Sequence, residues 1–169
     1  ARRGRCLVGG ARALRDLARG DPRVLRLMPY LQLDTPFDHT AAQKQALAQR
    51  FGEIFAELMN ASPNRITVAI RCTGAGSVWR CQGPAEGGQP REAAILMLDI
   101  RRGRPPEQRA ALAAALIGAC REILGYEDRD VNAEFTQHAG DEMYHTLYGG
   151  LSDEWEADAP DRLEARAHG

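Results

Sequence analysis

At 169 residues and a formal net charge of −1, the chain is long enough for one domain with a full hydrophobic core. Its near-neutral balance gives no support to binding nucleic acid or membrane surfaces through bulk charge. With no run of about eighteen apolar residues, no segment is expected to span a membrane. Cys6, Cys72, Cys81 and Cys120 show no C-x-x-C spacing, so structural thiols in a reducing cytoplasm are expected, with a Cys72–Cys81 bridge across a hairpin as the alternative.

Residues 1–28 are rich in arginine, with Asp16 and Asp21 as their only acids, and read as an arm rather than core. Such a segment fits either an organellar transit peptide or sequence translated upstream of the natural start. The second reading is preferred, because Met28-Pro29 makes a natural start: initiator methionine is removed before a small residue. A free amino-terminal proline is a secondary amine able to act as base or nucleophile. If Met28–Pro29 remains a peptide bond, that nitrogen is an amide and takes no proton.

Pro29 opens an alternating stretch, Tyr30-Leu31-Gln32-Leu33-Asp34-Thr35, which predicts a strand over 30–35. Thr40 and Gln43 form a capping box. Leu47, Phe51, Ile54, Phe55 and Leu58 then recur at helical spacing to about residue 59. Ser62-Pro63-Asn64 ends the helix before a strand over 66–72, and a short edge strand is expected over 77–81. The glycines around Gly74 to Gly88 do not fit a dinucleotide or phosphate loop after a buried strand. The second half repeats the order: strand 94–100, Pro105-Pro106-Glu107 opening a helix to about 124, Gly125 as its stop, and strand 131–136.

The halves are copies. Leu31-Gln32-Leu33-Asp34 matches Leu96-Met97-Leu98-Asp99 at an offset of 65, and Gln43 to Ala48 matches Gln108 to Ala113 at the same offset. Each copy, spanning 29–72 and 93–137, is a β-α-β unit whose two strands should be parallel with a right-handed crossover. The expected fold is α/β (α+β): two tandem units related by a pseudo-twofold, forming a four-stranded mixed sheet with both helices on one face. The organisation expected is an arm over 1–28, a domain over 29–150 and an acidic tail over 151–169.

A pseudo-twofold sets the two first strands side by side and antiparallel. The start of strand 30–35 then meets the end of strand 94–100, placing Pro29 beside Arg101, Arg102, Arg104 and the next helix N-terminus. Guanidinium groups and helix termini bind carboxylates. Apolar surroundings and neighbouring cations disfavour the ammonium form of the proline amine, which suits it to remove a proton α to a carbonyl. Alternation allows at most two of the three arginines to face the pocket. Glu134 and His145 are candidates to assist with water or a second proton, and Tyr144 to line the pocket. His138, Asp141 and His145 lack the tight spacing of a metal site, so no metal and no cofactor is expected.

Met28-Pro29-Tyr30, the paired β-α-β units and the arginines after the third strand resemble the tautomerase superfamily over about residues 29–150. The nearest likeness is to its fused-subunit groups, cis-3-chloroacrylic acid dehalogenase and malonate semialdehyde decarboxylase. Arg101-x-x-Arg104 resembles the arginine pair of the first and Arg102-x-Arg104 that of the second. The resemblance implies a homotrimer with active sites at the proline, completed by a neighbouring subunit and taking a small carboxylate substrate. It implies tautomerisation or hydration, with Pro29 and Arg104 as catalytic residues and Arg101, Arg102 and Arg104 binding substrate; Glu134 and His145, near where the dehalogenase has a tyrosine and a glutamate, are kept as catalytic candidates and Tyr144 as a substrate-binding one on the reading of this sequence alone. Phe55 stands where the dehalogenase has a histidine, and Asn64-Arg65 where the decarboxylase has its aspartate, so neither specialised mechanism is carried over whole. Decarboxylation or dehalogenation of a three-carbon acid is the enzymatic alternative. A non-catalytic trimeric scaffold with a blocked proline is the alternative of another class.

Overall fold

The computed structural model describes residues 29–61, 63, 66–82, 87–139, 142, 144–145 and 150–151. The expected arm over 1–28, and the acidic tail from 152 onward, lie outside the described residues. In chain order the elements are β1 (Tyr30–Thr35), α1 (Ala41–Met59), β2 (Thr67–Cys72), β3 (Trp79–Arg80), β4 (Arg91–Glu92), β5 (Ala94–Arg101), α2 (Pro106–Leu124), a 3-10 turn (Asp128–Asp130), β6 (Val131–His138), β7 (Tyr144–His145) and β8 (Gly150–Leu151).

Four strands form the main sheet in the order β2-β1-β5-β6. β1 is parallel to β2 and β5 to β6, while the central pair β1 and β5 is antiparallel. This is the mixed sheet that two β-α-β units joined about a pseudo-twofold require.

Burial follows the alternation of the sequence. Leu31, Leu33, Leu96, Leu98 and Ile100 are buried and share the face packed by Leu47, Phe51, Phe55 and Met59 of α1 and Leu112, Leu116 and Cys120 of α2. Each such side chain contributes about 1.5–3 kcal/mol by leaving water. The opposite face of the strands carries Tyr30, Gln32, Asp34, Met97, Asp99, Glu134 and Thr136 by the same two-residue period. There Tyr30 Oη donates to Gln32 Oε1 at 2.9 Å and Gln32 Nε2 donates to Asp34 Oδ2 at 2.5 Å.

Helix ends are fixed by local chemistry. The Thr40–Gln43 capping box forms at the start of α1. Gly125 closes α2 in the left-handed region at φ 78°, its N–H bonded to the Arg121 carbonyl, a conformation that costs a side-chain-bearing residue strain. Among the described residues no helix is long and apolar enough to cross a membrane.

Three expectations need correction. The segment over 77–81 is no edge of the main sheet: only Trp79–Arg80 are extended, and they pair with Arg91–Glu92 in a separate hairpin. Arg80 and Arg91 tie that hairpin to the second unit, both donating to the Arg129 carbonyl, with Arg91 Nη1 also 2.6 Å from Asp130 Oδ1. Side-chain bonds from Arg80 and Arg91, and not main-sheet pairing, join this segment to the second unit. Cys72 and Cys81 are free thiols, so the hairpin bridge does not form. Finally, β6 runs two residues beyond 136, to His138.

Candidate active site at the start of the first strand

Antiparallel pairing sets Tyr30 opposite Asp99 and Leu31 opposite Leu98. One further step brings Pro29 opposite Ile100, with Arg101 next along β5. Pro29 is buried, and its carbonyl accepts from Thr67 N at 3.1 Å, which fixes the strand entrance against β2.

Beyond β5 the chain turns through Gly103, at φ 96°, into Arg104 and Pro105, the N-cap of α2. Arg102 N donates to the His138 carbonyl at 2.9 Å, so this turn is pinned to the end of β6. The three arginines separate in consequence. Arg101 is only 3% exposed, Arg104 is half-buried, and the Arg102 side chain is exposed. Burial and, next, the charge of Arg101 lower the pKa of Arg104. Two guanidinium groups, one buried and one half-buried, therefore lie close enough for one charge to act on the other, and such groups bind carboxylates. The N-terminus of α2 adds its partial positive charge, without a side-chain cap on it.

The remaining sequence candidates lie elsewhere or beyond description. Glu134 is exposed and pairs with Met97, which itself faces Gln32. It therefore sits three residue steps, about 10 Å, from the level of Pro29 within this chain. Tyr144 is 65% exposed and pairs with Leu151 in a small hairpin. His145 pairs with Gly150, and its side chain lies outside the described residues. Phe55 is 2% exposed and belongs to the core, as its apolar character demands.

One grouping was missed in the sequence. Asp99 Oδ1 accepts from Thr136 Oγ1 at 2.8 Å and from His138 Nδ1 at 3.0 Å. His138 is the cross-strand partner of Arg101, so the group borders the arginine pocket. Among the described residues His138 Nε2 is buried with no hydrogen-bond partner, a condition that costs about 1–3 kcal/mol. A signal was present: Asn132, Glu134, Thr136 and His138 continue one strand face, so the period-two pattern could have been followed to 138. Among the described residues no cluster of His, Cys, Asp and Glu could hold a metal ion.

The pseudo-twofold mate of this pocket lies at the opposite end of the sheet. His39 stands at the repeat position of Arg104, 65 residues earlier. This end holds a network of hydroxyl and imidazole groups. Tyr126 Oη lies 2.5 Å from Thr35 Oγ1 and 2.6 Å from His39 Nε2, and Phe37 N donates to Thr35 Oγ1 at 3.2 Å. The Phe37 ring packs edge-on against Tyr126 at 5.7 Å. Burial pushes the Tyr126 phenol up to about 12, against the opposing pull of the Thr35 hydrogen bond. Burial, then the Lys44 charge, lower the His39 pKa, with Asp38 opposing.

No protein-family model and no curated protein matches the chain. Solved structures do. A macrophage migration inhibitory factor of Toxoplasma gondii superimposes with a TM-score of 0.58 at 22% identity, over 69% of this chain and 95% of that one. Pt0534 inactivated by 2-oxo-3-pentynoate gives 0.61 at 22% identity, over 73% and 94%. A fused 4-OT described as a symmetric trimer gives 0.60 at 25% identity, again over 73% and 94%.

Proposed function

We propose that this chain, which carries the tautomerase-superfamily fold, is an enzyme that moves protons on small carboxylate substrates, by keto–enol tautomerisation or by hydration. In this reading Arg101 and Arg104 grip the substrate carboxylate, helped by the N-terminus of α2. The amine of Pro29, where the chain starts at that residue, takes the proton α to the carbonyl and returns it. For hydration the same amine, protonated, donates to the carbon while a water adds. Both reactions consist of proton transfers and addition, and require no cofactor. Arg102, whose side chain is exposed, contributes its backbone N–H to the turn rather than a grip on substrate.

The observation that carries this reading is the juxtaposition of buried Arg101, half-buried Arg104 and buried Pro29 at one strand end. The likeness to a fused 4-OT described as a trimer supports assembly of this chain as a homotrimer. In such an assembly a neighbour would bring further groups to the pocket, and Glu134, Tyr144 and His145 are the candidates for that part.

The test uses a chain produced from Met28, so that methionine removal exposes Pro29. It should ketonise an enol-pyruvate substrate, and Pro29→Ala should reduce kcat by about a hundredfold or more. Full activity in Pro29→Ala would place the chemistry elsewhere. No activity in either protein, with the fold intact by circular dichroism, would favour the scaffold reading.

A further inference from the structure

The proline amine is one base, and it exists only where nothing precedes Pro29. The same strand end holds another nitrogen with the geometry of a base. Asp99, as a carboxylate, can only accept, so its 3.0 Å contact requires the proton of His138 to sit on Nδ1. Thr136 Oγ1 donates to the same carboxylate oxygen at 2.8 Å, which fixes Asp99 from the β6 side. In the neutral ring Nε2 then carries a lone pair, and that atom is buried with no hydrogen-bond partner among the described residues. A side chain oriented by a second group and left with one buried, unused acceptor is the arrangement expected of a general base.

Its surroundings match the pocket. Arg101 is the cross-strand partner of His138, so the two lie on neighbouring strands about 5 Å apart along the hydrogen-bond direction. β1 and β6 flank β5, which places Pro29 and the end of β6 about 10 Å apart, the span of a small carboxylate and its carbonyl. The titratable and charged groups on this strand face are Asp99 and Arg101 of β5, Tyr30 and Asp34 of β1, Arg71 of β2 and Glu134 of β6, and Arg104 follows from the turn.

We propose that His138, held by Asp99, is a second acid–base group of this site, available whatever precedes Pro29. The inference rests on the carboxylate pocket proposed above, though not on the proline. The step balances within one side chain. Nε2 takes a proton from the carbon α to the substrate carbonyl, and the C–H pair becomes the C=C bond of an enolate. The carbonyl π pair moves to the oxygen, where guanidinium charge holds it. The imidazolium then returns its Nε2 proton to that oxygen, giving the enol, or to carbon in the reverse direction. Asp99 and Thr136 are positioning residues that keep the proton on Nδ1.

The experiment follows exchange of the methyl protons of pyruvate in D2O by NMR, using the full chain from Ala1 to Gly169. The wild-type full chain should exchange. His138→Asn keeps a donor toward Asp99 but lacks Nε2, and should lower the rate by about a hundredfold or more. Asp99→Asn should slow exchange and move the His138 proton toward Nε2 in the 15N spectrum, a change that a merely structural contact would not couple to rate. Exchange undiminished in His138→Asn, or absent from the wild-type full chain, would overturn the proposal. If the full chain is inert while a chain starting at Pro29 exchanges and needs that proline, the His138 inference fails and the proline reading stands.

Discussion

The two ends of the central strand pair started from one design and now do different things. At the first-copy end, His39, Thr35 and Tyr126 bond to one another and Phe37 packs over the phenol, so polar groups satisfy each other internally. At the second-copy end, the residue equivalent to His39 is Arg104, and it shares its place with Arg101 beside Pro29. Mutual satisfaction stabilises the first end; at the second, burial and the charge of Arg101 lower the pKa of Arg104. The first end is thus a clasp between loops, while the second brings two guanidinium groups together.

Breaking the pocket should have the largest effect. In a chain starting at Pro29, Arg104→Ala should lower kcat/KM for an enol-pyruvate substrate by about 10- to 100-fold, the value of a charge-assisted hydrogen bond to carboxylate. Arg104→Lys should recover only part of it, because an ammonium cannot reproduce a planar fork. Steady-state kinetics with unchanged melting temperature checks both.

Breaking the clasp should leave activity alone and cost stability. Tyr126→Phe removes the hydroxyl shared by Thr35 and His39, and should destabilise the fold by about 1–3 kcal/mol in urea unfolding. A smaller effect follows from His39. Its folded-state pKa is lowered from the usual 6.5, so the unfolded chain binds the proton first on acidification. That contribution to stability is full above about pH 6.5 and is lost as pH falls toward the lower folded value. His39→Gln should flatten the acid limb of unfolding midpoint against pH. The smallest effect belongs to Arg102→Ala, whose side chain is exposed: kcat/KM should stay within about twofold.

Much of the fold could be read in the chain because the duplication repeats its own evidence. Leu31 and Leu33 match Leu96 and Leu98, and the same offset carries through both helices, so one period fixes sheet order and strand direction together. Arg101, Arg102 and Arg104 could be gathered by that symmetry, but which of them turns inward could not. That depends on the Gly103 turn and on the Arg102 N–H reaching His138, a contact 36 residues distant in the chain (138 − 102). Asp99 and His138 were missed for a related reason. Their partnership is cross-strand and needs the exact end of β6, which charge and polarity at a strand terminus blur. The Tyr126 clasp joins residues 87 and 91 positions apart, and no local pattern announces such a contact.

In the proposed function the start of β1 is the reactive end of the molecule. This is tested most directly by treating the chain that begins at Pro29 with 2-oxo-3-pentynoate, an alkynyl ketone that a free secondary amine attacks at its triple bond. Peptide mapping by mass spectrometry should find one adduct, on Pro29, formed with loss of activity and slowed by Arg104→Ala. An adduct only on Cys72 or Cys81, with activity retained, would contradict the account.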